Sequence, residues 1–306
     1  MNNIFVWTHH DLDGLASCLA VKWFHPDCKF AYQTTTGYTF REDFTRWLLK
    51  NRLSDFDRVF IVDLDVSESQ DLVDEDNVTI IDHHATHAEN ETYEFADSTV
   101  LEYSSAAKLI YKKYSKLYDI DLSKERKTLI ALADDYDSYN HEVEDSSVLN
   151  SVFWATQNNF KTFMRMYDNG FTGFTQQQLN MYRLYEQALK QALTTLQYFE
   201  NKKLKIGKSS YHVIATFASK FTNNIADHIF ENYDPDIAIV VNPKTQHVSF
   251  RRNTDSDVNL GRLAEAIADG GGHSFASGGQ ITEDFLAFTK LLKPRKKMRK
   301  VKKDGH

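Results

Sequence analysis

Residues 9–14 read His9-His10-Asp11-Leu12-Asp13-Gly14 and leave the end of an apolar, strand-like segment. In extended chain alternate side chains point the same way, so His9, Asp11 and Asp13 are expected to face one point. Three more clusters of this kind follow: Asp63-Leu64-Asp65 after Arg-Val-Phe-Ile-Val, Asp82-His83-His84 after Asn-Val-Thr-Ile-Ile, and Asp134-Asp135-Tyr136-Asp137 after an apolar helical stretch. Asp and His without Cys suit Mn2+, Fe2+, Co2+ or Zn2+. So many carboxylates carry too much negative charge to gather in one place without cations. A pair of divalent ions about 3.5–4 Å apart would relieve the repulsion and make a hydrolytic site. Any one cluster alone reads as a turn or a helix cap; four together do not.

Convergence requires elements that bring the clusters to one edge. Residues 3–8 read as a buried strand and 14–24 as a helix, with Leu15, Leu19 and Trp23 at helical spacing. A strand is expected at 30–34, a helix at 41–50, strands at 58–62 and 77–82, and helices at 103–114 and 124–133. Strand–helix alternation with hydrophobic strands implies a parallel sheet covered on both faces, whose ligand site lies beyond the carboxyl ends of its strands. The polar clusters sit at those ends. From about 147 to 200 the pattern is helical, with a long polar helix over 176–199. A second mixed segment then has strands near 203–206, 211–216, 236–241 and 247–251, and helices near 223–231, 258–269 and 283–292. The domain boundary is placed near 200.

The 306 residues, 26% charged and 42% hydrophobic, suit a soluble protein of roughly two domains. No apolar run approaches the ~18–20 residues of a membrane span, and no leader opens the chain. The two cysteines, Cys18 and Cys28, make no disulfide framework; they read as small buried thiols in a reducing, cytoplasmic setting. The net charge of −7 hides an asymmetry: residues 293–306 hold eight cations, and residues 1–292 hold 28 Lys and Arg against 42 Asp and Glu, a net of −14. An acidic body argues against sequence-blind clamping of duplex nucleic acid, while the basic tail suits an anionic partner.

The HxDxDG stretch, the Asp at 63 and the Asp82-His83-His84 triplet together resemble the DHH phosphoesterase family. Gly270-Gly271-Gly272-His273-Ser274-Phe275-Ala276-Ser277-Gly278 is similar to the GGGHxxAxG signature of its DHH-associated domain. The likeness runs to about residue 292, and the compact first motif resembles the nanoRNase and RecJ-like branch. It implies an α/β protein with an N-terminal parallel-sheet DHH catalytic domain (1–150), a helical connector (151–200), a smaller α/β substrate-binding domain (201–292), an active-site cleft between the domains, and a basic tail (293–306).

The resemblance also implies roles. His9 and Asp11 would hold one ion and Asp13 the other, Asp63 would bridge them, and His83 would bind the second, with Mn2+ the expected metal. His84 would donate a hydrogen bond to the scissile phosphate. In the fourth cluster Asp135 is the favoured ligand, Asp134 the next choice and Asp137 the third. In the glycine-rich segment exposed backbone N–H groups can approach an anion; Gly271, Gly272, His273 and Arg251, in a Ser-x-Arg context, would bind substrate. Arg252 reads as a solvated strand residue.

Other tempting residues are set aside. His10 alternates away from His9 and is expected buried or in contact with the ligands, His87 exposed, and Asp65 pointing away from Asp63. Phe153, Trp154, Phe160, Phe163 and Tyr167 read as core. The expected activity is hydrolysis of short single-stranded oligonucleotides through metal-activated water. Alternatives are 3′-phosphoadenosine-5′-phosphate or cyclic and linear dinucleotides, and, in another class, a non-catalytic nucleotide-binding protein. A long-substrate DNA exonuclease and a pyrophosphatase are disfavoured, and a homodimer is compatible.

Overall fold

The computed structural model describes residues 2–140 and 142–295. The chain divides into two compact units, Met1–Gln187 and Ala188 onward.

In the first unit, strands β1 (Asn3–His9), β2 (Lys29–Thr35), β3 (Arg58–Val62), β4 (Val78–Asp82) and β5 (Asp97–Val100) form a sheet of order β2-β1-β3-β4-β5, parallel throughout. Between them lie α1 (Leu12–Phe24), α2 (Gly37–Leu48), α3 (Gln70–Val73) and α4 (Ala85–Asn90), and α5 (Ala106–Tyr118), α6 (Lys124–Asp137), α7 (Glu144–Ala155) and α8 (Asn159–Met166) follow. The two-residue period of the strands sorts their apolar side chains onto two faces. Ile4, Val6, Phe60, Val62 and Ile81 pack with α1 and α5–α8, while Phe5, Trp7, Val59, Ile61 and Ile80 pack with Phe40, Phe44 and Trp47 of α2. Both faces are covered, which is why these strands are near-continuous hydrophobic runs.

Two expectations shift. The stretch read as a connector is core: Leu149, Val152 and Phe153 of α7 and Phe160 and Phe163 of α8 are buried in the same cluster as α1. Helix α9 (Gln176–Thr195) runs across the division at 187, so the boundary falls earlier than residue 200. The edge strand β5 was not anticipated; its four residues are exposed or half-buried, which leaves no hydrophobic pattern to read.

The second unit holds a seven-stranded sheet of order β10-β11-β9-β8-β7-β6-β12. Its strands are β6 (Tyr198–Ile206), β7 (Ser209–Phe217), β8 (Ile237–Asn242), β9 (His247–Arg252), β10 (Gly271–Gly272), β11 (Ala276–Gln280) and β12 (Lys293–Pro294). Only β7–β8 is parallel. Helix α10 (Thr222–Tyr233) packs on one face, and α11 (Leu260–Ala268) and α12 (Glu283–Thr289) on the other. The glycine-rich segment is a hairpin at the sheet edge rather than an open loop. Gly272 has φ +129°, and a Cβ there would sit 2.8 Å from the Ala276 carbonyl oxygen, so only glycine fits. Of the basic tail, Lys293, Pro294 and Arg295 are described, and the cations from Lys296 on lie outside the described residues.

Candidate metal centre

Parallel pairing sets Thr8 level with Val62, and Val62 level with Ile81. The next residues, His9, Asp63 and Asp82, therefore emerge side by side at the carboxyl ends of β1, β3 and β4. The turn after β1 is fixed by its own hydrogen bonds. Asp11 caps α1, accepting the Gly14 N–H at 2.8 Å through one oxygen and facing His9 Nδ1 at 2.6 Å through the other. Thr8 Oγ1 donates to the Gly14 carbonyl at 2.8 Å. A Cβ on Gly14 would lie 2.2 Å from the His9 carbonyl oxygen, so the close approach requires glycine.

The extended alternation holds from His9 to Asp11 and ends there, because Asp13 already lies in the first turn of α1. Its carboxylate accepts the amides of Ala106 (2.8 Å) and Ala107 (3.1 Å) at the start of α5, where the helix dipole favours negative charge. Asp63 takes the left-handed conformation, φ +56°, which Asp tolerates better than most residues. Its N–H donates to the Ile81 carbonyl at 3.1 Å.

Side-chain donors gather into sets whose ligand atoms all lie within 4.8 Å of one another: His9 with Asp11 and Asp63, and Asp13 with His83 and Asp137. Asp63 also groups with Asp82, His83 and His84. His83 Nε2 is 3.2 Å from Asp63, 3.4 Å from Asp137 and 3.8 Å from Asp13, and its Nδ1 lies 3.3 Å from the Tyr103 carbonyl. Asp63 thus belongs to the first set and, 3.2 Å from His83, adjoins the second.

These donors suit divalent cations. Asp63 Oδ2 is buried with no hydrogen-bond partner, an arrangement that costs free energy unless something binds it. The carboxylates of Asp11, Asp13, Asp63 and Asp137 sum to four negative charges, which two divalent ions would balance. Without cations, protons supply the balance. Burial, then Asp11 and Asp13, raise the Asp63 carboxyl well above the usual range. Burial pushes Asp13 up to about 6 and Asp137 up to about 7, and neighbouring carboxylates add to both shifts. For His83, burial disfavours the charged ring but is outweighed by Asp63, Asp137 and Asp13, which raise its pKa well above the ordinary value. Asp11 moves the other way: burial opposes its charge, and His9 and the Gly14 amide more than compensate.

The fourth cluster is corrected by the structure. Asp135 is turned away from the donor sets; its carboxylate accepts the backbone amides of Glu142 and Val143 and the Ser146 hydroxyl, holding the start of α7. Asp134 binds Ser104 Oγ at 2.5 Å and Lys108 Nζ at 2.8 Å. Asp137, at the end of α6, is the acid that reaches His83. The three acids lie within about one helical turn, and the choice among them is settled by which face α6 shows the sheet edge.

His87 is fully buried rather than exposed. Its Nδ1 donates to Asp82 Oδ2 and His84 Nδ1 to Asp82 Oδ1, both at 2.8 Å, while His87 Nε2 meets the Tyr93 hydroxyl at 2.7 Å. Asp82 therefore orients His84 rather than joining the acids of the centre. Asp65 does point away from Asp63 and binds Ser67 and Thr86. His10 lies between Thr34 Oγ1 and Asn159 Oδ1, packed near Phe153 and Phe160.

In the second unit Arg251, on β9, pairs with Ala276 on β11. Its guanidinium donates to Asn223 Oδ1 and to the Phe250 carbonyl, each at 2.8 Å. Gly271 and Gly272 pair with Gly278 and Ser277. The His273 amide donates to the Ala276 carbonyl, and its ring stacks on Phe275 with centroids 4.9 Å apart. Hairpin and Arg251 thus form one neighbourhood. Arg252 is half-buried and donates to the Val258 carbonyl at 3.0 Å.

A parallel sheet presenting acids and imidazoles at its carboxyl edge, followed by a separate mixed-sheet unit with a glycine-rich hairpin, defines a class of metal-dependent hydrolase. The DHH family N-terminal domain model matches residues 3–133 and the DHHA1 domain model matches residues 210–296. The chain belongs to the DHH family of phosphoesterases, its first unit carrying the DHH domain and its second the DHHA1 domain.

Among solved structures it is similar to the exonuclease RecJ bound to manganese (13% identity, 95% of this chain and 89% of that one, TM-score 0.57). An exopolyphosphatase-related protein from Bacteroides fragilis is also similar (16%, 95% and 91%, 0.54), as is the pGpG-specific phosphodiesterase PggH from Vibrio cholerae (14%, 95% and 96%, 0.53). At such identities the likeness is one of fold. No curated protein matches the sequence. No helix among the described residues is long and apolar enough to cross a membrane.

Proposed function

We propose that the chain hydrolyses phosphodiester bonds in short single-stranded oligonucleotides, di- to pentanucleotides being the preferred class. The observation that carries this reading is the position of Asp63, which groups with His9 and Asp11 and lies 3.2 Å from His83, itself grouped with Asp13 and Asp137. Bound divalent ions, Mn2+ being the expected metal, supply water activation at neutral pH and charge neutralisation at phosphorus. The protein's own part is to hold that centre rigid and to add donors beside it. His84, held by Asp82, is assigned the hydrogen bond to a non-bridging phosphate oxygen. Arg251, with fork geometry suited to phosphate, and the Gly271, Gly272 and His273 hairpin are assigned substrate binding.

Short substrates suit the charge of the first unit, since few phosphate contacts are needed. Nucleotide chemistry is also supported by the names of two fold neighbours, an exonuclease and a pGpG phosphodiesterase. The test is a panel of labelled di- to decanucleotides, cyclic dinucleotides and 3′-phosphoadenosine-5′-phosphate incubated with Mn2+. A product ladder from the short oligonucleotides supports the reading. Turnover confined to the cyclic dinucleotides or the bisphosphate replaces it, and failure to bind about two Mn2+ per chain in titration favours a non-catalytic binding protein.

A further inference from the structure

Asp82 is fully buried at the end of β4, and both of its carboxylate oxygens are occupied by imidazoles. His84, half-buried at the start of α4, takes Oδ1, and His87, fully buried one turn on, takes Oδ2, each donating from Nδ1 at 2.8 Å. A carboxylate held through one oxygen can rock about its last bond; held through both, its plane is fixed. The other nitrogen of His87, Nε2, meets the Tyr93 hydroxyl at 2.7 Å, the two rings lying edge to face with centroids 5.8 Å apart. A phenol donating to Nε2 keeps the proton of the neutral ring on Nδ1, the atom that faces Asp82. A buried imidazole costs free energy unless both nitrogens find partners, and an apolar side chain of similar volume would fill the place without that cost.

Tyr93 is itself held in place. The segment 91–96 that carries it is irregular, yet its polar groups are taken up one by one. The Thr92 amide and hydroxyl donate to Gln70 Oε1 at 2.9 and 2.6 Å, and Gln70 Nε2 donates to the Asn90 carbonyl at 2.9 Å. The amides of Glu94, Phe95 and Ala96 donate to the Asp74 carboxylate, each at 2.8 Å. Gln70 opens α3 and Asp74 closes it, so one helix grips the chain on both sides of Tyr93. At the start of α4, Thr86 Oγ1 donates to Asp65 Oδ2 at 2.7 Å. The row Tyr93, His87, Asp82, His84 is thus anchored in α3 at one end. At the other it finishes on an imidazole whose ring lies 4.7 Å from that of His83.

We propose that Tyr93 and His87 are positioning residues for phosphodiester hydrolysis, holding the His84 ring, through Asp82, at the angle from which it meets the phosphate. The proposal rests on the reading of His84 as a hydrogen-bond donor to that phosphate. The ordinary role of such a row is to pin α4 to the chain that follows it, and that role makes no demand on His84. Coupling to His84 therefore separates the two.

Turnover of labelled dinucleotides in Mn2+ is measured for the wild type, Tyr93→Phe, His84→Asn and the double variant, with the metal stoichiometry of each. Tyr93→Phe removes one oxygen and keeps the ring. Its kcat falls about 3–10-fold, the size of one hydrogen bond's contribution, with KM within about twofold of wild type and metal stoichiometry unchanged. In the His84→Asn background the same change alters kcat by less than about twofold, because the group it positions is gone. Equal losses in the two backgrounds, or a raised KM with kcat intact, overturn the proposal.

Imidazole nitrogen shifts of histidine-labelled protein in Mg2+ read the same row without turnover. Tyr93→Phe moves the signals of His87 and, through Asp82, those of His84, and leaves those of His25, at the far end of α1, in place. A change confined to His87 overturns the proposal. Absence of any hydrolysis alongside displaced His84 signals refutes the catalytic reading and leaves the coupling of Tyr93 to His84 standing.

Discussion

Asp135 and Asp137 sit two residues apart on one helix, and their substitution should have opposite consequences. Asp135 accepts two backbone amides and a hydroxyl at the entrance to α7 and is 8% exposed. Removing it in Asp135→Ala strands those donors in a buried setting. The expected loss is about 3 kcal/mol, or about 6–12 °C in Tm for a unit of this size, with both metal sites retained.

Asp137 is raised from 3.8 to about 7 in the metal-free protein, so its ionisation opposes folding at pH 8. Three pH units correspond to about 4 kcal/mol. Its side chain is 27% exposed, and solvent brings the figure to the order of 2 kcal/mol. Asp137→Asn should therefore stabilise the metal-free protein at pH 8 by about that amount and leave it unchanged near pH 4. It should also remove one metal equivalent, and with it the ~2.7 kcal/mol that a cation at a hundredfold excess over its Kd contributes. Differential scanning fluorimetry with and without Mn2+, beside titration calorimetry for stoichiometry, reads both effects. A metal stoichiometry of two in Asp137→Asn, or loss of metal with an unshifted Tm in Asp135→Ala, would refute the assignment of the fourth acid.

Three further outcomes follow from the same geometry. Because Asp13, Asp63, Asp137 and His83 all have raised pKa values, the metal-free protein holds more protons folded than unfolded and loses stability as pH rises from about 5 to 8; the Tm increment given by Mn2+ should grow over the same window, and a flat increment contradicts proton–metal competition. Gly14→Ala places a methyl group 2.2 Å from the His9 carbonyl oxygen, so unfolding in urea should show a loss of more than about 2 kcal/mol with weakened metal binding, and a wild-type midpoint would show that the turn can yield. Asp82→Asn leaves the two acid-and-imidazole sets in place but withdraws one acceptor from His84 and His87, so kcat should fall about 10–100-fold with metal stoichiometry unchanged; unaltered kcat would remove His84 from phosphate contact.

Sequence alone went far with the parallel sheet. Runs such as Arg58–Val62 and Val78–Asp82 are short and rich in β-branched residues, the first followed by an acid and the second ending in one, and a strand buried on both faces leaves little other reading. That His9, Asp11, Asp13, Asp63 and His83 would come near one another follows from strand ends fixed to within a residue by the change from apolar to polar, which parallel register then sets level. Cluster four offered no such marker. Asp134, Asp135 and Asp137 all lie on α6, where rotation of about 100° per residue decides which acid faces the centre, and that rotation is set by packing of Leu129, Ile130 and Ala133 against the other helices.

His87 was misjudged for a related reason. Its burial depends on Asp82 and on Tyr93, which reaches it from the chain leading into β5, a partnership that no local pattern encodes. The glycine-rich segment carried no strand signal because its composition lacks strand-forming residues. It pairs with β9 since bare backbone can lie against α11 where any side chain would collide. The kinds of chemistry are thus written in residue type and order, which are properties of the chain. Which oxygen or nitrogen faces which is decided by helix rotation and by contacts between distant segments, and those exist only after the core has packed.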